Sequence, residues 1–151
     1  MNVHVRQATL DDVDHLVAFN AAMAQETEGK QLAVETLDAG VRSLIADAQK
    51  GFYLVADVDG QAVGALMVTF EWSDWRDSQF WWLQSVYVQP HCRRQGVFRA
   101  LYRHLEQLAR SRPEVCGLRL YVEEANGVAQ STYSMMGMQE TGYVVYGVEF
   151  E

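Results

Sequence analysis

The spacing of apolar residues along the chain predicts four helices. In four stretches the apolar positions recur every three or four residues, which is typical of a helix with one buried face. These stretches run from residue 9 to 27, from 34 to 48, from 96 to 112 and from 127 to 136. Thr9 can cap the first helix, with Asp12 three residues further on. Asn126 can cap the last helix, and Gly137 can end it in the left-handed conformation.

Other segments have the composition and alternation of strands. Val3 and Val5 alternate with polar residues in a short first strand. Two apolar runs around Asp59-Gly60 predict a tight hairpin. The segment "FWWLQSVYV" is apolar on both faces, as is typical of a central strand. Further strands are predicted for "GLRLYVE" and for "GYVVYGVEF", the latter paired with a short strand at residues 138–141.

The predicted order of elements is β-α-α-β-β-β-α-β-α-β-β. This order indicates a mixed α/β fold, with a mostly antiparallel sheet and about four helices on its faces. A chain of 151 residues suits one domain with a real core, so residues 1–151 are expected to form a single domain.

Charge and cysteine content narrow the range of partners. The chain has 12 Lys+Arg against 20 Asp+Glu, a formal net charge of -8. Binding to nucleic acid of any sequence needs a broad basic surface, so we expect no nucleic-acid partner. There is no apolar leader and no run of 18 apolar residues, so we expect no membrane partner and a cytoplasmic location. The two cysteines, Cys92 and Cys116, lack the spacing of a zinc site, and we expect free thiols and no metal.

Against this acidic background, arginines gather where a strand ends and a helix begins. The stretch "VYVQPHCRRQGVFRALYRHL" contains Arg93, Arg94, Arg99 and Arg103. No Ser, Thr, Asp or Asn stands near Gly96 to cap the helix, so its first N–H groups are left for an outside acceptor such as a phosphate. The alternative is a glycine turn whose arginines are merely solvated.

A second candidate is Tyr133 in "NGVAQSTYSMMGM". A tyrosine at this place is commonly a core residue whose hydroxyl bonds the backbone. If it faces a cleft instead, its phenol is protonated at neutral pH and can give a proton to a thiolate leaving group.

These two stretches, in this order and spacing, resemble the GNAT superfamily of acetyl-CoA-dependent N-acetyltransferases. The family's pyrophosphate loop, R/Q-x-x-G-x-G/A, reads here Arg93-Arg94-Gln95-Gly96-Val97-Phe98. The later motif, N-x-x-A-x-x-x-Y-x-x-x-G-F, is matched by Asn126, Ala129, Tyr133, Gly137 and Met138. The loop departs from the family at Phe98, whose side chain must point away from the phosphates. Met138 in place of Phe is a mild departure.

The resemblance implies a single-domain GNAT-like fold whose sheet is splayed at its central strands by a bulge in "QSVYV". Backbone groups of Val86 and Val88 would pair with the pantetheine arm of acetyl-CoA. Asn126 would also contact this arm, and Tyr133 would face the sulfur as general acid. The cofactor-binding residues implied in this way are Val86, Tyr87, Val88, Arg93, Arg94, Gln95, Gly96, Val97, Phe98, Arg99, Asn126 and Tyr133.

The acceptor amine must lose a proton, so a base or a water chain is needed. Glu71 is the candidate catalytic base, and Glu26, Glu28, Glu123 and Glu124 are further candidates for this role. Glu26 and Glu28 are also candidates for binding the acceptor. Each of these groups can instead be a merely solvated carboxylate. Trp72 and Trp75 either line the acceptor pocket, where they would suit a cation, or form a dimer contact.

The expected function is therefore transfer of an acetyl group to a primary amine of a small, cationic molecule. One alternative is acetylation of a protein lysine or N-terminus. An alternative of another class is a non-catalytic acyl-CoA sensor, which would keep the loop but not need Tyr133. The edge of the last strand makes a homodimer a further possibility.

Overall fold

The computed structural model describes every residue from Met1 to Glu151 and contains five strands and four α-helices. In chain order they are β1 (Val3–Gln7), α1 (Val13–Glu28), α2 (Val34–Ala46), β2 (Phe52–Val58), β3 (Gln61–Ser73), β4 (Ser78–Val88), α3 (Val97–Arg110), β5 (Val115–Arg119) and α4 (Gly127–Met135). Single 3-10 turns precede α1 and follow β4. The chain divides into two compact units, residues 1–120 and residues 121–151. Every helix is too short or too polar to span a lipid bilayer.

The sheet in the first unit has the strand order β1-β2-β3-β4-β5. Neighbours are antiparallel from β1 to β4, and only β5 runs parallel to β4, with α3 as the connection. The predicted mixed α/β fold with a mostly antiparallel sheet is confirmed. So is the hairpin, because Asp59 and Gly60 both have the positive φ that a two-residue turn of this kind requires, 51° and 77°.

Helices α1 and α2 bury their apolar faces against one face of the sheet. Leu16 and Phe19 of α1 and Val41 of α2 share a buried cluster with alternate residues of the strands, among them Val55 and Tyr87. On α3, the stripe expected from the sequence is buried at Val97, Leu101, Leu105 and Ala109, while Leu108 is half-buried. Successive strand residues point to opposite faces, so fully buried Leu54 and Leu66 lie on the face away from this cluster.

Ion pairs connect the start of α1 to the edge of the sheet. The guanidinium of Arg6 in β1 donates two hydrogen bonds of 2.8 Å to Asp12 and one of 2.7 Å to Asp57 in β2. Asp12 also accepts the backbone N–H of Thr9, which completes the capping box that the sequence indicated, here around the 3-10 turn. Because Asp12 is 4% exposed, its carboxylate depends on these donors for the hydrogen bonds that water would otherwise supply.

The second unit contains α4 but neither of the strands expected there. Asn126 caps α4 by accepting the N–H of Ala129, and Gly137 follows with φ 98°, as predicted. The strand predictions for 138–141 and 142–150 are wrong, because no residue beyond Arg119 lies in a strand. Residues with high strand propensity need a partner strand, and an isolated two-stranded hairpin is marginal in water.

The strand predicted for residues 117–123 also differs from the observed one. The observed β5 begins earlier and ends earlier, at Val115 and Arg119. Its pairing with β4 ends where Arg119 lies opposite Trp82, so the following residues have no ladder to continue.

Replacing Asp12 with Asn should destabilise the fold by about 2 kcal/mol at neutral pH, because a buried partner of Arg6 loses its charge. The Arg6 guanidinium holds the pKa of Asp12 below its ordinary value. The stabilisation is therefore fully present above the unfolded-state pKa of about 3.9 and is lost as the pH falls through the folded-state pKa.

Urea unfolding of wild type and variant between pH 2 and 7, roughly the range in which a carboxyl titrates, measures this difference. Asp38→Asn is the matched control, because Asp38 makes a similar 2.7 Å bond to Arg42 on an exposed helix surface. A control variant that loses as much stability as Asp12→Asn would contradict the prediction.

Candidate active site

The last third of β4 bulges and loses its neighbour on one side. The register with β3 shifts between Ala65 and Met67, so Ser85 and Val86 lie opposite a single residue of β3. Ser85 has φ 51°, a left-handed conformation that is uncommon for a residue with a side chain. The parallel pairing with β5 ends at Trp82, and no strand pairs with β4 on that side from there to Val88. The bulge and the splayed strands expected in "QSVYV" are therefore present.

Two left-handed residues shape the loop that joins β4 to α3. Arg94 has φ 62° and Gly96 has φ 87°. The left-handed conformation is sterically unfavourable for Arg94 because of its Cβ, whereas glycine adopts it freely. Residues with such backbone strain cluster at ligand sites. A Cβ added at Gly96 would meet no atom within 4 Å, so the backbone there is open to a close approach. Backbone N–H groups that point in one direction from such a turn form a concave anion site.

Helix α3 begins without a side-chain cap, as its sequence predicts. Gly96 is the N-cap residue, and the first backbone bond into the helix runs from Ala100 N–H to the Gly96 carbonyl, at 3.0 Å. The N–H groups before Ala100 have no carbonyl acceptor inside the helix. The helix dipole adds partial positive charge at the same point.

The arginines of this region divide into paired and unpaired groups. Arg94 and Arg99 take part in none of the ion pairs of the first unit, so their charge is available at the start of α3. Arg103, one turn further on, donates to Glu106 at 2.8 Å. The ring of Phe98 packs 6.1 Å from that of Tyr102, which gives its large side chain a place on the helix surface.

Glu26, Tyr87 and Arg93 form a hydrogen-bonded cluster between the end of α1, the end of β4 and the loop. Arg93 Nη2 donates to Glu26 at 2.8 Å, and Tyr87 Oη donates to the same carboxylate at 3.1 Å. The Arg93 hydrogen bond holds the pKa of Glu26 below its ordinary value. Burial first, and then the Glu26 carboxylate, raise the pKa of Tyr87. The sequence suggested acceptor binding for Glu26 and cofactor binding for the other two, and the structure brings all three together.

Arg93 also bonds to the strand whose backbone is the expected partner of the pantetheine arm. Its Nε donates to the Val88 carbonyl at 2.8 Å. A carbonyl oxygen has two lone pairs, so Val88 retains the capacity to accept a second bond.

Glu71 lies in a separate polar cluster near the other end of β4. Its carboxylate accepts hydrogen bonds from Trp82 Nε1 at 2.8 Å and from Arg119 at 2.9 Å. The Trp82 bond and then Arg119 hold the pKa of Glu71 below its ordinary value. Glu71 pairs with Phe80, so it stands roughly 25 Å along β4 from Val88. The structure does not bring Glu71 to the start of α3.

Arg119 was missed by the sequence reasoning. The feature that could have pointed to it is its place in the largely apolar segment "GLRLYVE", because an arginine that is buried or half-buried in a strand needs a partner. Its guanidinium also lies 3.6 Å from the centre of the Phe80 ring.

The remaining acceptor candidates are exposed. Glu28 faces Lys30 at 3.6 Å on the surface. Trp72 lies in β3 and is 62% exposed, and Trp75 in the following turn is 86% exposed. Their part in acceptor binding stays a prediction.

Asn126 and Tyr133 belong to the second unit. The Asn126 side chain caps α4, which leaves its amide N–H groups for other acceptors. Burial raises the pKa of Tyr133, so its phenol keeps its proton throughout the neutral range. A protonated phenol has the state that a general acid requires.

Comparison with known proteins finds one matching family profile and several similar proteins. The profile of the Acetyltransferase (GNAT) family matches residues 17–138. A possible acetyltransferase from Clostridium difficile 630 is 40% identical in sequence; the match covers 100% of this chain and 99% of that one, with a TM-score of 0.92. A predicted acetyltransferase from Clostridium acetobutylicum, solved with acetyl-CoA, shares the fold with a TM-score of 0.78 and 16% identity, over 97% of this chain and 96% of the other. Thialysine N-epsilon-acetyltransferase of Caenorhabditis elegans is 24% identical over 74% of this chain and 68% of its own length.

The family profile spans the bulged strand, the uncapped helix and the tyrosine motif, and therefore most of the chain. The chain belongs to the GNAT family and is an acetyl-CoA-dependent N-acetyltransferase.

Proposed function

We propose that the protein transfers the acetyl group of acetyl-CoA to a primary amine of a small, cationic molecule. The observation that carries the proposal is the start of α3, where an uncapped helix follows left-handed Arg94 and Gly96. A diphosphate is the part of acetyl-CoA that such a backbone suits, because it presents several oxygen acceptors to N–H donors.

The residues at the loop fit this group in shape and in charge. Open space at Gly96 admits a phosphate to the backbone. Arg94 and Arg99 form no ion pairs in their own unit and can neutralise it. We assign the N–H groups from Arg94 to Arg99 to the diphosphate, the free edge of Val86 and Val88 to the amides of the pantetheine arm, and Asn126 to the same arm.

When bound, acetyl-CoA supplies the thioester whose acetyl group the acceptor nitrogen takes up. We assign Tyr133 the role of general acid, which donates its Oη proton to the departing sulfur. This assignment rests on the match of Asn126, Ala129, Tyr133 and Gly137 to the family motif. The raised pKa of Tyr133 supports it, because the donor stays protonated throughout the neutral range.

We assign proton removal neither to Glu71 nor to Glu26. A carboxylate whose pKa is depressed is a weak base, since general bases work best with a pKa near the operating pH. The pKa is depressed for both. Loss of the amine proton is then assigned to solvent water.

The preference for a small cation is supported by charge and by one relative. The formal net charge of -8 attracts cations over a distance. The relative from C. elegans is named for a small amine, thialysine. Since Glu26 and Glu71 each bond an arginine, local attraction for a cation at these two groups is modest.

The proposal is tested by measuring thiol release from acetyl-CoA with a panel of small amines, an acidic amine and a lysine peptide, each at two salt concentrations. We expect turnover with small cationic amines, with a kcat/KM that falls as salt is added. A preference for the lysine peptide would favour protein acetylation instead. Tight acetyl-CoA binding without turnover on any acceptor would favour a sensor.

Replacing Gly96 with Ala should weaken acetyl-CoA binding about tenfold. Alanine at φ 87° costs about 1–2 kcal/mol, and its methyl group lies where a phosphate approaches the backbone. Isothermal titration of acetyl-CoA into both proteins measures the change.

Gly60→Ala is the matched control for this variant. Gly60 has φ 77° and open surroundings, but it lies in the turn between β2 and β3. The control should lose similar stability and keep its affinity. Equal affinity of Gly96→Ala and wild type would remove the loop from the cofactor site.

Replacing Tyr133 with Phe should lower kcat by about 100-fold or more and leave acetyl-CoA affinity within a few-fold of wild type, because only the proton donor is lost. Tyr53→Phe is the control, since burial also raises the pKa of this core tyrosine, which lies in β2. Steady-state kinetics and titration of both variants make the comparison. An unchanged kcat in Tyr133→Phe would exclude the phenol from the mechanism.

A further inference from the structure

Glu26 lies in the last turn of α1, at a place where the helix itself does not favour a carboxylate. The C-terminal end of a helix carries partial negative charge, so an acidic side chain there is unfavourable. The compensation comes from outside the helix. Oε2 of Glu26 accepts a 2.8 Å hydrogen bond from Arg93, and Oε1 accepts a 3.1 Å bond from the phenol of Tyr87. A residue that breaks a local rule and is matched by a distant partner is typical of functional regions.

The ion pair between Glu26 and Arg93 contributes little to the stability of the fold. The two side chains are 39% and 42% exposed. Pairs between groups exposed to this extent add little to the free energy of unfolding, because water screens the charges and both side chains lose conformational freedom. The main effect of the pair is therefore local: it fixes the position of the Arg93 guanidinium.

The fixed guanidinium connects α1 to both parts of the cofactor site. It reaches back over the 3-10 turn at Pro90–Cys92, where its Nε donates to the Val88 carbonyl at 2.8 Å, and it lies 5.3 Å from the centre of the Tyr87 ring. Val88 belongs to the free edge of β4, and the residue after Arg93 is left-handed Arg94. A residue with a side chain keeps that conformation only where its surroundings enforce it.

We propose that Glu26 is a positioning residue for acetyl-CoA. It anchors Arg93, and through Arg93 it holds the Val88 carbonyl and the loop before α3 in the conformation that receives the cofactor. This inference rests on the proposed function, which assigns the loop and the free edge to acetyl-CoA. The role differs from acceptor binding, because an acceptor cation must first displace Arg93 from the carboxylate.

Charge alone predicts the opposite effect when this carboxylate is removed. Acetyl-CoA is an anion, so the loss of a nearby negative charge strengthens its binding, and a released Arg93 adds a free cation close to the diphosphate. A positioning role predicts weaker binding, because the loop and the carbonyl must then be ordered as the cofactor binds. The sign of the change in affinity therefore separates the two effects.

Replacing Glu26 with Gln should weaken acetyl-CoA binding about fivefold, because the cost of ordering the loop moves into the binding step. Asp38→Asn is the matched control, since it removes the same charge and a 2.7 Å bond to an arginine between exposed groups on α2. The control should bind acetyl-CoA as wild type does. Isothermal titration measures the affinities, and thermal unfolding checks that both variants are folded. Equal or tighter binding by Glu26→Gln would overturn the proposal.

A double variant tests the route through Arg93. In Arg93→Ala the carboxylate has lost the group that it anchors. Adding Glu26→Gln to that protein should therefore change acetyl-CoA affinity by less than about twofold. A further loss in the double variant as large as in Glu26→Gln alone would mean that Glu26 acts without Arg93, and would also overturn the proposal.

Steady-state kinetics separate positioning from acceptor binding. Glu26→Gln should raise KM for acetyl-CoA and leave kcat at saturating cofactor and KM for the amine near their wild-type values. A raised KM for the amine with an unchanged KM for acetyl-CoA would overturn the proposal in favour of acceptor binding.

The titration distinguishes a failure of this inference from a failure of the proposed function. It needs no acceptor, so it decides the role of Glu26 even if the protein acetylates none of the small cationic amines. A wild-type protein that bound no acetyl-CoA would overturn the assignment of the loop, and this inference with it. Wild-type binding that Glu26→Gln retains would overturn this inference alone.

Discussion

The short pairing between β4 and β5 is the constraint on which the site depends. The two strands share a ladder only up to Trp82 and Arg119, and the bulge at Ser85 then turns β4 away. A longer ladder would have used the backbone of Val86 and Val88 within the sheet. The early end of the pairing leaves that backbone at a free edge and directs the chain into the loop before α3. A parallel neighbour of β4 also requires a crossover connection, and α3 is that connection.

The electrostatics of the first unit follow from which arginines already have partners. Arg6, Arg93 and Arg119 each bond a carboxylate from a different part of the chain, and so hold elements together. Arg94 and Arg99 do not, and both stand at the positive end of a helix dipole. An acidic protein can in this way keep local positive charge, because nine of its 12 basic groups pair with carboxylates while Arg94 and Arg99 do not.

Sequence reasoning succeeded where one local rule decides the structure. The turn at Asp59-Gly60, the cap at Asn126 and the missing cap before α3 all follow from residue type and neighbours. It failed for the strands after Met138, because a strand depends on a partner that no local pattern specifies.

The features of the candidate site that could not be predicted from the sequence are ion pairs between residues far apart in the chain. Glu26 and Arg93 are 67 positions apart, and Glu71 and Arg119 are 48 apart. Their residue types indicate that each needs a partner, but only the fold selects which partner. The sequence motifs were enough to identify the loop and Tyr133 as candidates. The pKa of each carboxylate, in contrast, depends on these long-range contacts.

The left-handed Arg94 sets a limit on how far this protein can be made more heat-resistant. Substitution by glycine at that position relieves about 1 kcal/mol of backbone strain, and a selection for thermal tolerance alone would favour it. The same substitution removes one of the two unpaired cations at the start of α3. Because Arg94 is one of the residues proposed to bind the diphosphate, a screen for heat resistance needs an activity criterion alongside temperature.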